Sequence, residues 1–545
     1  MQYWRWTAGF ALFLLAGLPL LMPLDALRRF PESWRVWAEA DRIAGLATNS
    51  AALCLGSALL SMSGGLILGT LLFKTDLPGR RLAQGVLILT AFVPLPLVTT
   101  ACQMGFRTLL PIATGSVWPS GLGPAILIHA LLGLPWCAVI IGLGLRWVEP
   151  ELEEDGLLCL SPAQVFWRVT LWRALPFTML AGLVTALTAW NEMAVTDFAR
   201  VRTFAEEVYL QFQGGGLDER ARAAAATMPL VVGIAVVTVV LVSWWRTALP
   251  EARMFARPPR LFLLGPWRWP TAVATYGLGL AVLTPLLSGL ILRAGLRYAT
   301  ADQPGDPTWD GWLLLDRYCQ EWVRQRELLF ASGTMAAGAG LTTAFLALFA
   351  AWLSRGSVIF DRYLWFTAAA LWAVPGPLLG IGWLDLVQRL LELPGGGMVR
   401  MLLYERPSPL PNIWICTIRF LPIALAVLWP LVRLIPRELE DAAAVDGLGP
   451  LGRFRRVIVP LTVWPVVWTA LIVAALTLGE ISASKLTATP GFTPLAHHVF
   501  QQMHASADAE LAALTLVMLT LVAAGGSAVV LLLPRLRRDV GRWAA

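Results

Sequence analysis

Residues 434–460 read LIPRELEDAAAVDGLGPLGRFRRVIVP. ELEDAAAVD is rich in helix formers, and the acids at its start suit the positive end of a helix dipole. Gly447 then supplies the residue that most readily ends a helix in a left-handed turn. A second amphipathic segment, LGRFRRVIVP, sets Phe454, Val457 and Ile458 among arginines, and Pro460 begins the next element. Both flanks are apolar, at 411–432 and 461–484. Each is long enough to cross a bilayer, which takes ~20 residues of helix. A helix–glycine–helix slung between two membrane spans is a docking knob for a soluble partner. The fold class it sets is an all-α integral membrane protein.

Ten more apolar runs extend outward from this point, near 7–24, 46–73, 83–104, 122–145, 174–196, 223–245, 271–292, 329–353, 363–387 and 511–533. That makes about twelve spans. Only 14% of the 545 residues are charged and 57% are hydrophobic, with a mean hydropathy of +0.66. A soluble domain carries about a quarter charged residues to cover its core, so a water-facing fold is excluded. The net charge of +7 is almost wholly arginine, since Lys74 and Lys485 are the only lysines. Those arginines fall in short loops between apolar runs, the pattern of cytoplasmic anchoring rather than of nucleic-acid binding. The tryptophans fit the headgroup layer. Cys54, Cys102, Cys137 and Cys416 lie in apolar stretches and read as small packing residues. The run at 7–24 lacks a good cleavage site behind it and reads as an uncleaved first span.

Loops 74–81, 246–269, 354–362 and 433–456 and the tail 535–542 are arginine-rich, which predicts that they and both termini face the cytoplasm. Arg28, Arg29, Arg35 and Arg42 fall in a loop expected outside, balanced there by Asp25, Glu32, Glu39 and Asp41. The basic, proline-containing stretch 246–270 reads as a cytoplasmic linker between modules 1–245 and 271–545. Pro162, Phe166, Arg168, Val169 and Glu192 recur 288 positions later as Pro450, Phe454, Arg456, Val457 and Glu480. VPLPLV at 93–98 returns as VPGPLL at 374–379, 281 positions on. The chain is a tandem duplication of a six-helix unit.

The loop at 434–460 resembles the EAA loop of binding-protein-dependent ABC permeases: Glu-Ala-Ala, three residues, Gly, nine residues, then Ile-x-Leu-Pro. Here the pattern reads Asp441-Ala442-Ala443, Gly447, Val457 and Val459-Pro460, with Glu440 as a further acid. The resemblance implies that Glu440, Asp441, Ala442, Ala443, Gly447, Phe454 and Pro460 couple the chain to an ATP-hydrolysing subunit. The first-half copy at 150–172, PELEEDGLLCLSPAQVFWRVTLW, is degenerate. At the 288 offset Glu153 takes the acidic position, Glu154 and Asp155 replace the alanines, and Cys159 replaces the glycine. Normal coupling through the first half is therefore in question.

Each loop is followed by an apolar helix that ends in a glutamate, TAWNEMAVTDF at 188–198 and TLGEISASKLT at 477–487. A charge at mid-bilayer costs roughly 2.5–3.5 kcal/mol on insertion scales. Glu192 and Glu480, with Asn191 and Lys485, are thus candidates for a polar translocation path; the alternative is a position near the outer headgroups. Lys485 is a candidate partner for Glu480. GEISASKLTATPGFTPLAHHVFQQMH is similar to the ferric-iron, thiamine and phosphonate branch of these permeases, in which two modules often share one chain. That resemblance implies ferric iron as first candidate cargo, with thiamine, phosphonate or polyamine as alternatives. His497, His498 and His504 lack a carboxylate or cysteine cluster to complete a metal shell, so a structural role is expected.

There is no G-x-x-x-x-G-K-[ST] phosphate loop and no hydrolytic signature. The expectation is a transport subunit, not an enzyme, without a cofactor. The resemblance implies two ATPase copies and an extracytoplasmic binding protein as partners, in the inner membrane of the cell. The alternative is an ion-coupled secondary transporter, which can also carry repeats but gives no reason for the helix–glycine–helix loop.

Overall fold

The computed structural model describes residues 2–109, 120–213, 216–247, 260–297, 308–394, 396–505 and 508–541. Nearly all of it is helix, apart from one antiparallel pair of two-residue strands, Leu296–Arg297 with Thr308–Trp309. In the first half the long apolar helices are α1 (Tyr3–Arg29), α2 (Ala40–Lys74), a bent pair α3 (Arg80–Ala91) and α4 (Leu95–Phe106), and α5 (Leu122–Arg146). The short helix α6 (Pro150–Cys159) leads to α7 (Pro162–Asn191). Two short helices, α8 (Ala194–Phe198) and α9 (Phe204–Gln213), precede α10 (Leu217–Thr247).

The second half repeats this order. It runs α11 (Gly265–Gly295), an extra amphipathic helix α12 (Gly311–Arg324), α13 (Arg326–Ser354), and the bent pair α14 (Val358–Ala373) and α15 (Gly376–Glu392). Then come α16 (Leu410–Arg433), the short α17 (Arg437–Val445), α18 (Pro450–Leu478), the short α19 (Ser484–Thr487) and α20 (Leu495–Ala505), and α21 (Asp508–Ser527). Each apolar run of the sequence corresponds to one of these spans. The runs at 83–104 and 363–387 are not straight: their helix pairs bend by 101° and 107°. Proline explains both bends. Pro94 and Pro375 stand at the breaks, each opening a new helix where its missing N–H costs nothing.

Contacts fix which ends lie together. Arg5 Nε donates to Leu353 O (3.1 Å), Lys74 pairs with Glu153 (2.9 Å), Arg355 pairs with Glu440 (2.6 Å), and Arg246 pairs with Asp361. The start of α1 and the ends of α2, α10 and α13 therefore share one side with α6 and α17, here termed the loop side. Since α5 and α16 also end on that side, they begin on the far side. The bent pairs must carry the chain across, which makes twelve crossings.

The first span of each half packs on the other half as well as on its own. The second part of α1 lies along α15, and α11 lies along α4 and α21. Backbone proximity at these crossings requires glycine. A Cβ on Gly289 would stand 2.5 Å from Gly105 N, and one on Gly382 would collide with Pro19 O. The stretch 260–270 reaches α2, where Phe262 N donates to Lys74 O (2.8 Å). Residues 248–259 of the expected linker lie outside the described residues. One buried cluster runs through both halves, joining Leu180, Trp190 and Trp245 to Leu364, Trp372 and Leu425.

Candidate functional site

On the loop side, α17 ends as its sequence predicts. Gly447 has φ +81°, Leu448 N donates to Ala443 O and Gly447 N to Ala444 O, both at 3.0 Å. This is the paired closure of a Schellman turn, which satisfies carbonyls a helix end otherwise leaves open. Glu440 is anchored inward: Arg355 Nη1 donates to Oε1 (2.6 Å) and Trp352 Nε1 to Oε2 (2.9 Å). Phe454 is buried against Trp352 and Phe349 at centroid distances of 4.9 and 5.3 Å. Ala443 is buried, whereas Asp441 and Ala442 face solvent and Pro460 lies inside α18, just past its π-helical turn at Phe454–Ile458.

The first-half loop is built the same way with one residue fewer. Glu153 is fully buried, 2.9 Å from Lys74 Nζ, and accepts from Thr170 Oγ1 at 2.7 Å. Lys74 ends α2 as Arg355 follows α13, so Glu153 corresponds to Glu440 and not, as the ungapped offset had it, to Asp441. At this spacing of 287, Leu152 matches Leu439 (41% and 40% exposed) and Leu158 matches Val445 (84% and 89%). Cys159 then matches Asp446, and the position of Gly447 is absent. No left-handed residue occurs there; Leu160 is extended, and Ser161 caps the next helix in a capping box with Gln164. A register shift inside the loop, with Leu-Glu-acid as its anchor, is the signal that an ungapped comparison misses. Glu154 is exposed, 3.7 Å from Arg260, and Phe262 packs edge-on against Phe166 (5.9 Å). Both loops thus present two apolar side chains outward from a helix pinned by an inward-facing acid.

The two other glutamates stand where α7 and α18 stop. Glu192 accepts from Ala194 N (2.6 Å) and Val195 N (2.9 Å); Glu480 accepts from Ala483 N (2.8 Å) and Ser484 N (2.7 Å). Each carboxylate caps the short helix after the break, satisfying backbone donors that a helix start otherwise leaves open. A basic side chain from the preceding span lies near each one. Arg419 Nη1 is 3.2 Å from Glu480 Oε1, and His129 Nε2 is 3.8 Å from Glu192 Oε2. Arg419 Nη2 also donates to Asn191 O (3.3 Å) across the seam between the halves. Asn191 Nδ2 donates to Trp372 O (2.9 Å), Trp190 Nε1 to Ala373 O (2.8 Å), and Met193 N to Ser482 Oγ (3.2 Å).

Lys485 does not pair with Glu480. The chain breaks between them, with α18 ending before Glu480 and α19 beginning at Ser484, so the two side chains do not share a helix face. Its Nζ lies instead over the rings of Phe500 (4.1 Å) and Tyr209 (5.1 Å). Arg419, missed in the sequence, holds the role given to Lys485; a lone arginine inside an apolar run was the available signal. His497 Nε2 meets Ser484 Oγ (2.8 Å), and His498 faces Gln502. The His504 side chain lies outside the described residues. Among the described residues no three metal-ligating side chains converge.

Residues 343–538 match the family model of the inner membrane component of binding-protein-dependent transport systems. No curated protein matches the chain.

Proposed function

We propose, from the match of residues 343–538 to the inner membrane component of binding-protein-dependent transport systems, that the whole chain is a two-module ABC importer permease. Residues 1–245 and 271–545 act as its two modules, enclosing one path at their seam. The chain is a transport subunit of a multi-pass membrane protein, and the energy comes from separate ATPase subunits. Those subunits engage α6 and α17 from the cytoplasm, and a binding protein delivers cargo from the other side of the cell's inner membrane. Cargo belongs to the range implied by the ferric-iron, thiamine and phosphonate resemblance.

One observation carries this reading: the matched pairs Leu152/Leu439 and Leu158/Val445, exposed on two helices that are each pinned by an inward acid–base pair. Apolar side chains held out into water on a rigid helix fit a groove on a partner. Both acids are tied to the end of a membrane span, so a push on either helix moves that span. Glu192, Glu480 and Asn191 then serve at the seam, capping the broken helices that a path between the modules needs.

The test is ATP-driven uptake by the chain reconstituted with its ATPase. Val445→Arg and Leu158→Arg should each lower uptake about tenfold or more, equivalent to 1.4 kcal/mol of lost coupling, while the ATPase keeps its activity when free. Solute movement under an ion gradient alone, with no ATPase present, refutes the reading.

A further inference from the structure

At the seam, the acids are already committed. Glu192 and Glu480 each accept two backbone N–H groups, and Glu480 also faces Arg419. The cation opposite them is less well matched. Lys485, partly exposed, has no carboxylate partner among the described residues; its ammonium rests between Tyr209 of the first half and Phe500 of the second. Around these rings lie Met193, Ala205, Ile481 and Ala496, all apolar. Ring faces hold a cation but do not neutralise it, and apolar walls weaken the screening that water would supply. Nearby, Arg419 Nη1 is buried without a well-formed hydrogen bond, although Glu480 is close.

One other buried acid needs accounting for. Glu206 Oε2 has no hydrogen-bond partner among the described residues, and the charges acting on it most strongly are those of Asp197, Arg202 and Glu207. At the place in the first half that matches Lys485 stands Asp197, 288 positions earlier, so the two halves differ in charge at this point. The ammonium that rests on rings and not on a carboxylate is contributed by the second half only.

We infer that Lys485, clamped by Tyr209 and Phe500, is a binding site for a small oxyanion, so that the solute passing the seam is phosphate- or phosphonate-like rather than a polyamine, thiamine or a bare ferric ion. The inference rests on the permease reading for its purpose but not for its chemistry. An oxyanion completes the lysine's ion pair without competing for the backbone groups that Glu192 and Glu480 hold.

The lysine content makes the test selective, because Lys74, the other lysine, is fully buried against Glu153. The purified full chain in nanodiscs is treated with pyridoxal 5′-phosphate, an anionic amine reagent, then reduced and mapped by mass spectrometry. Lys485 should be labelled and Lys74 spared. Methylphosphonate or inorganic phosphate should slow labelling about tenfold, and thiamine or spermidine should not. Labelled phosphate should remain bound to Lys485→Arg, which keeps the charge, and be lost from Lys485→Met. An unlabelled Lys485, equal protection by spermidine and phosphate, or undiminished phosphate binding by Lys485→Met overturns the inference. No ATPase takes part, so failure here leaves the ATP-coupling test standing, and the reverse also holds.

Discussion

Glu206 sits on α9, between the spans α7 and α10, and only 7% of it is exposed. Burial first, and then the neighbouring Asp197 charge, push its carboxyl up to about 7; Thr203 N–H and Arg202 pull the other way. An acid whose folded pKa is raised binds its proton more tightly in the folded state. Its contribution is therefore favourable below the unfolded value of about 4.5 and is lost as pH rises toward 7. Glu206→Gln should remove that loss. Thermal unfolding measured at pH 5 and pH 8 should show little difference between variant and parent at the lower pH. At the higher pH the variant should be more stable by on the order of 1 kcal/mol. Equal melting temperatures at pH 8 would mean the carboxylate is solvated or paired.

Among the elements, the two loop helices differ at one point of backbone geometry. Gly447 is left-handed at φ +81°, and no atom crowds it, so a side chain there meets conformational cost rather than collision. That cost is roughly 1–2 kcal/mol for a residue with a Cβ. It falls on the turn that closes α17 and aims Val445. Cys159 stands in an ordinary helical end, exposed, with no such demand. Gly447→Arg should therefore depress ATP-driven transport more than Cys159→Arg does, with Gly447→Ala intermediate. Equal transport by the two arginine variants would show that the turn's geometry does not matter for coupling.

Over the whole molecule, the exchange of first spans makes the halves mutually dependent. α1 is held on the second half by Arg5 to Leu353 O, Tyr363 to Gly9 O (3.2 Å) and Trp414 to Leu15 O (2.9 Å). α10 is tied to α14 through Arg246 and Asp361, with Arg433 and Trp429 on the same carboxylate. Such an interface resembles a core cut in two rather than a contact between independent domains. Residues 1–253 and 254–545, expressed together as two polypeptides, should co-purify as one complex with near-parental melting. Either piece alone should aggregate or be degraded. Separate, individually stable halves would refute the exchange.

What the sequence determined by itself is local in origin. Span number follows from apolar length against bilayer thickness, and the twelve runs correspond to twelve crossings. The end of α17 lies in one glycine. VPLPLV and its copy VPGPLL stood out only as a recurrence; the bends beside them came from the structure, because apolar composition reads the same in a bent helix as in a straight one. Tertiary structure decided the rest, because it depends on which side chains meet. Glu153 was matched with Glu440 only through Lys74 and Arg355, residues far off in the chain. Lys485 stands beyond a break in the helix and meets two rings instead of Glu480, and Arg419 fills its place. Nothing in residues 3–29 tells which half they will pack against. That choice belongs to the glycine and proline surfaces at Gly382 and Pro19, which acquire meaning only when they touch.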